Sequence, residues 1–106
     1  MFIMQDQLID RATSVQVVIA SLREVLDQAG EPIPEQLDEE TVLVGNTAVL
    51  DSLGVVSLIV EVEQRLEMDH NISVTLASDK AMSQRNSPFR TVGVLADYIG
   101  TILKEQ

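Results

Sequence analysis

Apolar residues recur along this chain at helical spacing in three places. Leu8, Ala12, Val15, Ile19, Leu22 and Leu26 follow one another at intervals of 4, 3, 4, 3 and 4. That rhythm marks one face of an α-helix and predicts a first helix from about Asp6 to Ala29. Val17, Val18 and Val25 widen the stripe, so this helix is expected to be covered on more than one side. Asp6 or Asp10 supplies an N-cap, Gly30 a stop, and Pro32 lies beyond it.

The second helix is predicted from Ser52 to about Glu67, with Asp51 as its N-cap. Leu58, Ile59, Val62 and Leu66 form its inward stripe. Val56, Val60, Glu63 and Glu67 fall on a different face and make a mixed apolar and acidic strip. Periodicity alone leaves open whether Val56 and Val60 contact a partner or a second side of the core. A last helix begins near Thr91, whose hydroxyl can cap it. Val92, Leu95, Ala96, Ile99, Ile102 and Leu103 give its stripe, and Lys104 suits its C-terminal end.

The connections differ in kind. Residues 31–50 form a long loop opened by Pro32 and Pro34. Asp38, Glu39 and Glu40 keep it solvated, Val42, Leu43 and Val44 can anchor it, and Gly45-Asn46 reads as a turn. Ile72, Val74 and Leu76 alternate like a strand, but a lone strand has no partner here. The expectation is an extended segment whose apolar side chains plug the core. Ser78–Ser83 is read as a short third helix, interrupted by Asn86-Ser87-Pro88. The pattern predicts one all-α domain over residues 1–106, a four-helix bundle with a long first loop and a short third helix.

Composition narrows the function classes. The chain has 106 residues, 45% of them hydrophobic and only 3% aromatic, so the core is aliphatic. Seventeen acidic residues against 7 basic ones give a net charge of -10. Nucleic acid is an unsuitable partner, because neutralising phosphates needs clustered Lys and Arg. Anionic membrane surfaces are equally unsuitable, and basic protein surfaces suit it better. Without cysteine there is no disulfide, thiolate metal site or Cys nucleophile. No apolar run suggests membrane insertion. Met1-Phe2-Ile3-Met4 lacks the basic flank and length of a secretory signal, so the expected location is cytoplasmic.

The chain is not expected to be an enzyme. His70 is the sole histidine and follows Asp69 in a polar turn, where solvation is its ordinary fate. No motif with metal-ligand spacing, phosphate-cradling glycine loop or nucleophile elbow occurs, so no catalytic or metal residue is assigned. A triad of Ser52, His70 and an aspartate would require the two ends of the second helix to meet. What remains is Asp51-Ser52-Leu53. A serine in the first turn of a helix lies among backbone N–H groups without intrahelical acceptors, where a phosphodiester is favoured. The plain alternative is that Asp51 and Ser52 only cap the helix.

The wider stretch from Leu50 to Glu63 (LDSLGVVSLIVEVE) resembles the modification site and recognition helix of acyl carrier proteins. Thr41-Val42-Leu43 followed by Gly45 looks like the family's loop before that site. Thr91-Val92, Leu95-Ala96-Asp97-Tyr98-Ile99 resembles its last helix, so the likeness spans about Asp6 to Leu103. The resemblance implies a carrier domain whose Ser52 receives a 4'-phosphopantetheine arm from coenzyme A through a phosphopantetheinyl transferase. It implies that Asp51 helps position the metal ion of the transfer complex and that Leu53 contacts the transferase. It implies that Val56, Val60 and Glu63 face partner enzymes. These would be an acyl- or aminoacyl-loading ligase and downstream enzymes that process or transfer the acyl group. The cargo would ride as a thioester on the cofactor's sulfur.

Gly54 stands where carriers of fatty acid synthesis often have an acid, and Ser57 and Gln64 also replace commonly acidic positions. The segment from Ala77 to Phe89 differs from the most familiar carriers as well. These departures point to a specialised pathway, with an amino acid, hydroxy acid or short acyl group as cargo. A competing expectation is a non-catalytic interaction protein that keeps the carrier fold and acts by docking.

Overall fold

A computed structural model gives the fold and describes residues 9–45, 48–76 and 89–105, with the side chains at 52 and 105 outside that description. Its helices are α1 (Arg11–Gln28), α2 (Ser52–His70) and α3 (Val92–Glu105). There is no strand among the described residues, only an isolated antiparallel bridge between Val42 and Thr91. The domain is therefore all-helical. The short helix expected at Ser78–Ser83, the break at Asn86–Pro88, and Asp6 and Leu8 lie outside the described residues.

Asp10 caps α1: its Oδ1 accepts from the Thr13 N–H at 2.8 Å. Hydrogen bonds from the Thr13 side chain and backbone hold the Asp10 carboxyl below its ordinary pKa. The helix closes at Gly30, where φ is +73° and the Glu31 N–H donates to the Leu26 carbonyl. Only glycine takes that conformation without a Cβ penalty. The buried face of α1 is Ser14, Val15, Val17, Val18, Ser21, Leu22, Val25 and Leu26. Ala12 is exposed and Ile19 half-buried, so the face is rotated from the predicted stripe toward the three valines. The rotation follows from packing: α1 contacts both α2 and α3 and needs a wide apolar arc. Buried Ser21 donates its hydroxyl to the Val17 carbonyl, which satisfies it inside the core.

Leu58, Ile59, Val62 and Leu66 of α2 are buried, as are Val92, Leu95, Ala96, Ile99 and Leu103 of α3, while Ile102 is half-buried. α2 runs three residues past the predicted Glu67, because Asn71 adopts a left-handed cap with φ 56°. The extended segment after it inserts Ile72 and Leu76 into the core with Val74 packed alongside. Phe89 is buried against Tyr98 in an edge-to-face pair, centroids 5.9 Å apart.

The long first loop is pinned rather than free. Leu43 is fully buried and Leu37 nearly so, whereas Val44 is exposed. The Leu43 N–H donates to the Arg90 carbonyl at 2.8 Å. Arg11 ties the loop's Glu39 to Asp97 of α3 through two ion pairs, which keep the guanidinium protonated. The loop thereby spans α1 and α3 and delivers the chain to the start of α2.

Candidate functional site

Leu50 and Asp51 end the loop, and Asp51, in extended geometry (φ -89°, ψ -176°), caps α2. Its Oδ1 accepts from the Gly54 N–H at 2.7 Å, and its carbonyl accepts from the Val55 N–H at 3.0 Å. Asp51 is thus both exposed and engaged as a cap. Ser52 is the first helical residue, at a junction flanked by exposed Asp51 and by Leu53, which is 74% exposed. A large aliphatic side chain in water at such a junction contributes nothing to the core.

Gly54 sits where a Cβ would lie 3.1 Å from Leu50 Cβ and Cδ2 and 3.2 Å from Asp51 Oδ1. Its missing side chain lets the loop close tightly on the first turn. An open groove of about 310 Å³ runs beside this turn, walled by Val25, Leu26, Val49 and Leu50, with Glu31 and Asp51 at its edges. Sequence periodicity placed Val25 and Leu26 in the core. It held no signal that their outer edges would meet the loop next to Ser52.

The face of α2 opposite the core carries the other candidate residues. Val56 is 50% and Val60 46% exposed. Both side chains are therefore open to solvent and do not form a second buried side of the core. Glu67 is exposed on the same side. Glu63 is half-buried and turned toward the protein: its Oε2 accepts from the Leu76 N–H at 2.7 Å. That bond ties the segment after α2 back to the helix. The Leu76 carbonyl is held in turn by the Tyr98 hydroxyl at 3.4 Å. Met68, 82% exposed, extends the open face and was missed because the helix was expected to end before it.

Ser52 and His70 are the first and last residues of one 19-residue helix. At 1.5 Å per residue they are about 27 Å apart, so they do not form a dyad. Among the described residues no three His, Cys, Asp or Glu side chains gather in a potential metal site, and no helix is long and apolar enough to cross a membrane. Neither a protein-family model, nor a curated protein, nor a solved structure matches the chain.

Proposed function

We propose that this chain is a carrier that holds an acyl or aminoacyl group as a thioester on a 4'-phosphopantetheine arm attached to Ser52. The carrier-type bundle belongs to the same proposal. The observation that carries it is the position of Ser52 as first residue of α2, between an exposed N-cap aspartate and an exposed leucine. A modifying enzyme needs an accessible hydroxyl, and this junction lies at the surface.

The surroundings suit a phosphodiester. Gly54 and Val55 N–H groups are taken by Asp51, whereas a helix leaves its first N–H groups, here those of Ser52 and Leu53, without intrahelical acceptors. The positive end of the helix dipole lies at the same place. When attached, the arm supplies the thiol that the sequence lacks. The chain's own part is to hold the attachment point rigid through the Asp51 cap and to present Leu53, Val56 and Val60 to the enzymes that load, process and unload the cargo.

The direct test is mass spectrometry of the intact chain after incubation with coenzyme A and a broad-specificity phosphopantetheinyl transferase. One arm on the wild-type chain, mapped to Ser52 and absent from Ser52→Ala, is the expected result. A folded chain that several transferases leave unmodified overturns the proposal. The exposed strip also favours a second reading, a protein that acts by docking alone. That reading expects Ser52→Ala to keep function in the host and Val60→Asp to lose it.

A further inference from the structure

A second open groove, of about 470 Å³, lies between the start of α1 and the C-terminal half of α3. Its base is the buried Ser14, Ala96 and Leu103, with Gly100 beside them. Three of these four carry a small side chain or none, so the helices leave space between them. Gly100 answers to no backbone demand. Its φ is not left-handed, and a Cβ there would meet nothing within 4 Å. Alanine would favour the helix, so glycine here gives up helical stability and gains no closer packing. Its effect is to keep the groove open. At 1.5 Å per residue, Ser14 lies about 17 Å along α1 from Val25, which walls the groove beside Ser52.

α1 buries two serines, and they differ. The Ser21 hydroxyl donates to the Val17 carbonyl at 2.8 Å. Ser14 is 1% exposed, and its hydroxyl has no partner among the described residues. Every fully buried polar side-chain atom among those residues has one, so the Ser14 oxygen opens on the groove it lines. A buried hydroxyl held without a partner costs stability unless a ligand group meets it.

The other polar groups decide which ligand suits it. Arg11 is taken by Asp97 and Glu39. Asp10 accepts from the Thr13 N–H, and the Thr101 hydroxyl donates to the Asp97 carbonyl. Lys104, at the exposed rim, has no acceptor among the described residues. The donors left over are the Ser14 hydroxyl and the Lys104 ammonium, and both call for an acceptor. Asp10 and Asp97, in a chain of net charge -10, disfavour an anion. A neutral carbonyl oxygen accepts from such donors and brings no charge into that field. Ile9, Ala96, Gly100 and Leu103 offer apolar surface to the rest of the molecule.

We infer that this groove binds a small, uncharged aliphatic molecule bearing a carbonyl group, such as a primary amide. The carbonyl oxygen accepts from the Ser14 hydroxyl, with Lys104 as the donor at the rim. The site is separate from Ser52 and does not depend on the carrier reading.

The test titrates the full chain with hexanamide and follows its backbone amide resonances. Saturable shifts centred on Ser14, Ala96, Gly100 and Thr101 are expected, with millimolar affinity. Hexanoate and hexylamine keep the chain length and add a charge of either sign; each is expected to bind at least about threefold more weakly. Ser14→Ala is expected to weaken hexanamide at least about threefold, the loss of one neutral hydrogen bond, with no fall in Tm because the hydroxyl holds nothing in the fold. Gly100→Leu fills the space and is expected to abolish saturation. If that variant does not fold, Ser14→Ala and the charge series decide. Absence of saturable shifts at these amides, shifts centred beside Gly54 instead, or a charged probe binding as tightly as the amide overturns the inference. So does unchanged affinity in Ser14→Ala. Shifts of the same amides on dilution of the chain alone would assign the groove to a second copy and overturn it as well.

Discussion

The starts of α2 and α3 use the same local chemistry and end in opposite states. At α3, all four opening N–H groups have protein acceptors. Val92 donates to the Thr41 carbonyl at 3.1 Å and Gly93 to the Glu39 carbonyl at 2.8 Å. Val94 donates to Thr91 Oγ1 and Leu95 to the Thr91 carbonyl. The long loop is clamped onto that helix end, and Arg11 locks it from the side. At α2, among the described residues, the capping residue Asp51 accepts from Gly54 and Val55, and Leu53 stands in solvent. A cap residue therefore says where a helix begins and nothing about its use. What separates a structural helix end from a presented one is whether another part of the chain covers it.

The largest effect expected from this contrast concerns the two glycines in these first turns. A Cβ at Gly93 would meet the Glu39 carbonyl oxygen at 3.1 Å, Arg11 Nη2 at 3.2 Å and Glu39 Cβ at 3.3 Å. The carbonyl cannot withdraw without breaking its bond to the Gly93 N–H. Gly93→Ala is expected to cost about 1–3 kcal/mol, the usual range for overpacking. At Gly54 the crowded atoms belong to the Leu50 and Asp51 side chains. Leu50 Cδ2 can swing aside, and Leu50 Cβ and the capping Asp51 Oδ1 need to give by only a few tenths of an ångström, with the Oδ1 bond to the Gly54 N–H kept; alanine's preference for the helix, up to about 1 kcal/mol over glycine, offsets that adjustment. Gly54→Ala is expected to leave stability within about 0.5 kcal/mol of wild type. Urea unfolding of both variants checks the pair, and equal losses would remove the distinction between a covered and an open helix start.

The caps come next in size. Thr91→Ala and Asp51→Ala each remove one side-chain acceptor and should each cost about 1 kcal/mol. Their consequences differ beyond stability. Asp51→Ala is expected to slow arm attachment at Ser52, while Thr91→Ala leaves the attachment rate near wild type at a temperature where both are folded. Time-resolved mass spectrometry with limiting transferase reads this directly. Equal rates would assign Asp51 to capping alone.

Most of the helical frame was legible in the sequence, and its legibility followed burial. Leu58, Val62 and Leu66, like Val92, Leu95 and Ile99, repeat at helical spacing because a single face of each helix meets the core. On α1 the cover on more than one side was legible from Val17, Val18 and Val25, which are all buried, whereas Ala12 holds the expected spacing without the expected burial. The end of α2 was misplaced because nothing in the stripe signals that Asn71 turns left-handed. Long-range links were not legible at all. Arg11 to Asp97 and Glu63 to Leu76 join residues whose separations carry no periodic signal. At the candidate site, Asp51 as cap and Ser52 as first helical residue were readable from local chemistry. The inward turn of Glu63 and the groove beside Gly54 depend on how the loops return, which only the tertiary structure provides.

The smallest expected effect is one of pH, and it separates the ionisable cap of α1 from the hydroxyl cap of α3. Hydrogen bonds from Thr13 lower the pKa of Asp10 in the folded chain. A depressed carboxylate pKa means that the folded state binds its proton less readily than the unfolded one. The stabilisation is therefore complete above the unfolded value of about 3.9 and fades as pH falls through the folded value. Asp10→Asn keeps a capping oxygen but removes the charge. Its Tm is expected to lie slightly below wild type at neutral pH and to converge with it in acid below that window. Thr91 has no proton to exchange in this range, so the Tm deficit of Thr91→Ala should change little over the same titration. Melting curves of wild type and both variants from neutral to acidic pH decide the matter. A deficit for Asp10→Asn that persists undiminished in acid would show that the α1 cap acts through shape alone, as the α3 cap does.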